Sequence, residues 1–209
     1  LDRTRQKALE EVAKDLDTTP EIAKGSIEYH ERIREIDEEY QNFWSGLPKI
    51  LDQFTEVLWA ESPVLDRFKF TLGCDDIARV WGADEQGRAW AGAPDIIAVV
   101  NNKLTLADLK TSVRPYSRKW PKDYEKGTTE WRNLLGGYMK FKKTCKQLAA
   151  YDIAIEQTLG LKIQQAAILV STPERTQIFK ISRGFLNSLR QDWYKIVEEY
   201  YKQLEECDI

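Results

Sequence analysis

Apolar residues recur at helical spacing over residues 1 to 60, alternate or run unbroken through the middle of the chain, and return to helical spacing at its end. Leu1 to Leu16 is a run of good helix formers, closed by Asp17-Thr18-Thr19-Pro20. Thr19 is placed to cap a second helix, with Pro20 at its first position and Glu21 behind it. Ile22, Ile27, Ile33 and Ile36 carry that helix towards Phe43, where Gly46-Leu47-Pro48 breaks it. Ile50, Leu51, Phe54, Val57 and Leu58 again recur at helical spacing and predict a third helix.

From Leu58 the texture changes. Phe68 to Val80 alternates and is rich in strand formers, and Gly82 to Gly87 reads as a turn. Ile96 to Val100 and Leu104 to Leu109 are short apolar runs separated by Asn101-Asn102-Lys103, the signal of a tight hairpin. Residues 113 to 133 keep no period and predict a loop or mobile lid. Leu134 to Leu159 predicts a helix, Ala166 to Val170 and Gln177 to Ile181 two strands, and Phe185 to Glu206 an amphipathic helix. The expected fold is one mixed α/β domain over residues 1–209. It has a helical part over 1–60, a core over 61–181 and a closing helix over 185–206.

Composition narrows the class. A hydrophobic share of 42% and seven tryptophans belong to a folded globule. No apolar run reaches the about eighteen residues a membrane helix needs, so no membrane partner is expected. The N-terminus lacks the charged-then-apolar pattern of a secretory signal, and Leu1 in place of Met leaves room for residues trimmed upstream. Cys74, Cys145 and Cys207 lie far apart, which fits a reducing, intracellular setting. The net charge of −3 hides an asymmetry: between Lys103 and Lys146, twelve Lys and Arg face four Asp and Glu. That stretch therefore carries +8 and the remainder −11.

The chemistry sits in the hairpin. Asp95 opens the first strand, after Gly92-Ala93-Pro94, and Asp108-Leu109-Lys110 ends the second. Residues two apart share a strand face, so Asp108 and Lys110 point one way and Leu109 the other. Hairpin pairing returns Asp108 to the neighbourhood of Asp95. Two convergent carboxylates repel, and a hard divalent cation such as Mg²⁺ or Mn²⁺ resolves the repulsion. Such an ion activates water and offsets charge on a phosphate, while the lysine positions the water or stabilises the transition state.

The Pro-Asp and Asp-x-Lys pair resembles the PD-(D/E)xK nuclease superfamily. Gln147-Leu148-Ala149-Ala150-Tyr151 has the Gln-x-x-x-Tyr spacing of its RecB-like members, with both side chains on one helical face. Gly25 to His30 is similar to their Gly-x-x-x-x-His segment, and Glu61-Ser62-Pro63-Val64 to a Glu-x-x-Val segment before the first catalytic strand. From about Gly25 to Glu206 the chain resembles single-domain exonucleases of the mitochondrial-genome-maintenance type and their phage and bacterial relatives. The resemblance implies a restriction-endonuclease-like core: a central mixed sheet flanked by helices, with a helical N-terminal third. It also implies Mg²⁺- or Mn²⁺-dependent cleavage of single-stranded DNA from an end, in repair, recombination or replication. The setting would be the cytoplasm of a bacterium or phage-infected host, or the mitochondrial matrix. His30, Asp95 and Asp108 would hold the metal, with the Leu109 carbonyl as a further ligand. Gln147 and Tyr151 would hold the scissile phosphate or Lys110. The CRISPR adaptation nucleases of this superfamily carry an iron–sulfur cluster on four cysteines. Three cysteines depart from that pattern, so no cluster is expected.

The basic segment fits a single-strand track. Thr111, Ser112, Arg114, Tyr116, Arg118, Lys119, Trp120, Trp131 and Arg132 interleave cations for phosphates with rings for bases. An endonuclease of restriction or repair type, or a non-catalytic nucleic-acid-binding module, remains the alternative. Polarity and the choice between DNA and RNA stay open.

Overall fold

A computed structural model of the chain describes residues 2–60 and 80–207. The chain begins with α1 (Asp2–Asp15), α2 (Pro20–Ala23) and α3 (Ile27–Trp44). One helix is expected from Pro20 to Phe43, but two form. The chain turns at Lys24-Gly25-Ser26, and the Ser26 hydroxyl accepts the Tyr29 N–H at 3.1 Å to start α3. Satisfying a helix-start donor this way contributes about 1 kcal/mol, which favours the break. Leu9, Ala13 and Ala23 form a small core of their own with Val12 and Tyr29.

The third predicted helix is corrected more sharply: only α4 (Pro48–Leu51) is helical, and β1 (Phe54–Ala60) is a strand. It pairs antiparallel with β4 (Ile96–Val100), and the register shifts between Phe54 and Glu56 and again between Val57 and Trp59. Each irregularity adds a residue to the alternation. Among the described side chains of β1, Phe54, Val57 and Ala60 are consequently the buried ones, three apart, and imitate a helical period.

The strand expected over Phe68–Val80 lies outside the described residues except Val80, as do Glu61 and Cys74. Val80 begins β2 (Val80–Ala83), which forms a two-stranded antiparallel ribbon with β3 (Ala89–Gly92). The turn between them closes on Asp84, whose carboxylate accepts the Gln86 and Arg88 amides and the Arg88 Nε. The β4–β5 hairpin forms as expected, with β5 covering Lys103–Thr111. Asn101 and Asn102 take φ of 52° and 59°, the two positive values a type I′ turn needs.

Helix α5 (Thr129–Leu159) starts earlier than expected because Thr128 caps it, accepting the Trp131 N–H at 3.2 Å. Gly160 closes it in the left-handed region at φ 67°. Strands β6 (Gln165–Ser171) and β7 (Thr176–Ser182) and helix α6 (Arg183–Cys207) complete the chain. The main sheet runs β1-β4-β5-β6-β7, with β5 and β6 parallel and every other pair antiparallel. The protein is thus a mixed α/β fold with a mixed five-stranded sheet, flanking helices and a helical N-terminal region.

Alternation sorts the sheet residues onto two faces. Ile97, Leu106, Ile168 and Val170 meet Phe141, Cys145, Leu148 and Ala149 of α5 and Leu186 and Leu189 of α6 in the larger core. Burial pushes the Cys145 thiol up to about 12 despite the nearby Arg118 guanidinium, so it behaves as a core side chain. On the opposite face Val57, Ile96, Ala98, Ala107 and Leu169 gather with Ile50 of α4. Among the described residues, no helix is long and apolar enough to cross a membrane.

Candidate active site at the β4–β5 hairpin

Ile96 pairs with Ala107 across the hairpin, so one more step of the register sets Asp95 opposite Asp108. Asp95 therefore lies on the strand face of Ile97, and Asp108 and Lys110 on that of Leu106. Both are the face that α5 covers. The two strands are also tied at this point by the Asp95 carboxylate, whose Oδ2 accepts the Leu109 N–H at 2.6 Å.

Asp108 is fully buried, and the Lys110 ammonium lies 2.8 Å from both of its carboxylate oxygens. Burial works to lower the Lys110 pKa, but the neighbouring Asp108 charge and, more weakly, Asp95 outweigh it and raise it. Lys110 is therefore a fixed cation at neutral pH, suited to offsetting negative charge or orienting water and unsuited to accepting a proton. From α5, Gln147 Nε2 donates to the Tyr151 hydroxyl at 2.8 Å. Burial raises the Tyr151 pKa; the Gln147 hydrogen bond opposes that, and the charges of Asp108 and Asp95 reinforce it. Tyr151 thus keeps its proton and stays a donor beside the acids. Its ring passes over Gly92, where an added Cβ would lie 2.3 Å from Cε1.

Asp95, Asp108, Lys110, Gln147 and Tyr151 are in this way brought to one place. His30 is not brought to them: it is exposed in the first turn of α3, with a ring contact to Tyr29. Among the described residues, no three His, Cys, Asp or Glu side chains gather as a metal-holding group. Leu109 stands opposite Leu169 in the β5–β6 ladder, its side chain packed on the second face of the sheet.

The basic segment divides. Residues 112–119 are tied down rather than free as a lid. The Tyr116 amide N–H donates to the Gln177 side chain and its carbonyl accepts from it, and the Tyr116 ring is buried in the larger core. That ring is not a platform for a base. Arg118 stacks on Phe141 and Phe179 and caps the Lys180 carbonyl at 2.5 Å. Trp120 stays half exposed, edge-on to Tyr138, and Thr111, Arg114, Lys119 and Arg132 are exposed. Trp131 is half buried in the first turn of α5.

Two contributors carry little signal in the sequence. Gly92 is legible there only as the first residue of the Gly92-Ala93-Pro94 stretch before Asp95. Lys140 is legible only as one of several lysines along α5, yet its ammonium donates to the Ser112 hydroxyl at 2.9 Å.

No family model matches the chain, and no curated protein does. Among solved structures it is similar to the crystal structure of SSO0001, with a TM-score of 0.33 and 15% identity, over 92% of this chain and 70% of that one.

Proposed function

We propose that the protein is a Mg²⁺- or Mn²⁺-dependent nuclease of the PD-(D/E)xK type acting on single-stranded DNA. The observation that carries the reading is the convergence of Asp95, Asp108 and Lys110 under the Gln147–Tyr151 pair. Two carboxylates suit Mg²⁺, which is commonly held by one or two acids and completes its octahedron with water and phosphate oxygens. Asp95 and Asp108 would hold the ion, which when bound supplies an activated water and a counter-charge for the phosphate. Lys110, charged and locked on Asp108, stabilises the negative charge that grows on the phosphorus-bound oxygens. The Tyr151 hydroxyl, oriented by Gln147, donates to a phosphate oxygen and holds the strand in line.

The half-exposed Trp120 and the exposed cations of residues 111–132 favour a strand whose bases are unpaired. End-labelled linear and circular single-stranded DNA, incubated with Mg²⁺, with Mn²⁺ and with EDTA, test the reading. Linear DNA should be degraded only with metal, and circles should resist. Asp108→Ala and Lys110→Ala should each lower the rate by about 10²–10³-fold, the usual cost of removing one electrostatic stabiliser. Wild-type rates in either variant would remove the assignment, and circles cut as fast as linear DNA would make the protein an endonuclease.

A further inference from the structure

Beyond the acids and Lys110, the same face of β5 continues to Ser112, whose amide extends the parallel ladder by donating to the Ser171 carbonyl at 3.0 Å. Its hydroxyl is buried and already committed as a donor, to the Arg114 carbonyl at 2.7 Å, so it meets Lys140 as an acceptor. An ammonium has three donors. Ser112 takes one of them, and among the described residues no acid pairs with Lys140. Arg114 likewise has no acid partner among the described residues and spends its guanidinium on the neutral Asn133 side chain. By contrast, three less exposed arginines of this fold pair with acids: Arg88 with Asp84, Arg183 with Asp152, and Arg190 with Asp152 and Glu156.

The backbone beside these two exposed cations is fixed. Gly137 lets the 115–117 segment lie directly on α5, where an added Cβ would sit 2.6 Å from the Pro115 carbonyl oxygen. Lys140, Thr144, Gln147 and Tyr151 follow one stripe of α5, since steps of four, three and four residues return to one helix face. That stripe runs along Ser112, Lys110 and Asp108 on β5.

We propose that Lys140, oriented by Ser112 and flanked by Arg114, forms a second phosphate subsite on the same DNA strand. It would hold a phosphate that is not the one cleaved. Ser112 lies four strand residues beyond Asp108, about 13 Å at about 3.3 Å per residue. At about 3.4 Å per stacked nucleotide, and up to about twice that when the strand is extended, the separation spans about two to four nucleotides. The address of the subsite relative to the cleaved bond rests on the nuclease reading; the phosphate contact itself does not.

The test uses the full chain and short oligothymidylates. First, binding is measured by fluorescence anisotropy in EDTA over a range of salt, for wild type, Lys140→Ala and Lys142→Ala. Lys142 is exposed on another side of α5, over the Tyr138 ring. Loss of one phosphate contact should lower the log–log salt slope by about 0.7 in Lys140→Ala. Lys142→Ala should keep the wild-type slope. Second, single neutral methylphosphonates are walked along the strand on both sides of the cleaved bond. At one position two to four nucleotides away, the substitution should slow wild type and Lys142→Ala about tenfold and leave Lys140→Ala no slower than it already is. An unchanged salt slope in Lys140→Ala, or a methylphosphonate profile equal to that of wild type, overturns the subsite. If the slope falls but none of the proteins cleaves, the subsite stands as a DNA contact and the nuclease reading fails.

Discussion

Gly92 determines whether Tyr151 can sit where it does. The ring occupies the space a Cβ would fill, 2.3 Å from Cε1 and 3.2 Å from Cδ1, so any other residue at 92 pushes the phenol away from the acids. Gly92→Ala should therefore destabilise the protein by about 1–3 kcal/mol, the range for overpacking a close contact. In a Tyr151→Ala background most of that cost should vanish, because the obstacle is gone. Urea denaturation of the four proteins of this cycle checks the claim, and an equal cost in both backgrounds would show that the ring is not what Gly92 accommodates. Lys110 shows the same dependence on neighbours. Its burial alone would favour the neutral amine, and chiefly the adjacent Asp108 keeps it charged.

The β4–β5 hairpin is the element that builds the site, and its turn sets the register that places Asp95 beside Asp108. A one-residue slip would send Asp108 and Lys110 to the face of Leu109. Asn101 and Asn102 hold the turn at φ 52° and 59°, a region that asparagine tolerates and β-branched residues do not. Asn102 is exposed, so its replacement loses little packing. Asn102→Val should accordingly cost about 1–2 kcal/mol through backbone strain alone. Chemical denaturation reads this directly, and a variant as stable as wild type would mean that the turn is not of this type.

At the scale of the molecule, the site is supported from behind by the seam between α5 and α6. Asp152 is fully buried and accepts Arg183 Nη1 on both oxygens, at 2.8 and 3.0 Å. Arg190 donates to the same carboxylate and to the Asp152 carbonyl, and also pairs with Glu156 at 2.7 Å. Removing the buried charge leaves two guanidiniums facing each other, and breaking such a pair costs about 3–5 kcal/mol. Asp152→Asn should lower the unfolding free energy by about that amount in urea titration. A loss below about 1 kcal/mol would show that the seam is held by its apolar contacts instead.

What the chain determines by itself is what neighbouring residues decide. The apolar runs of residues 96–100 and 104–109, the Asn-Asn turn and the Asp-x-Lys spacing are local, so the hairpin and the pairing of its acids are legible in the amino-acid sequence alone. The caps at Ser26 and Thr128 are equally local, though a longer helical periodicity masks the first and an aperiodic, basic segment the second. What tertiary structure alone decides is what partners distant in sequence impose. Phe54 to Ala60 is a strand because β4, some forty residues later, offers it a ladder, and the shifted register erases the period-two pattern that would have announced it. Tyr116 is core because Gln177 and α5 enclose it, although its neighbours are the cations of an exposed segment. His30 lies away from the hairpin acids because its helix packs with α1, and the turn at residues 24–26 directs it there. Burial and convergence depend on which surfaces meet, and periodicity along the chain contains no information about a partner sixty residues away.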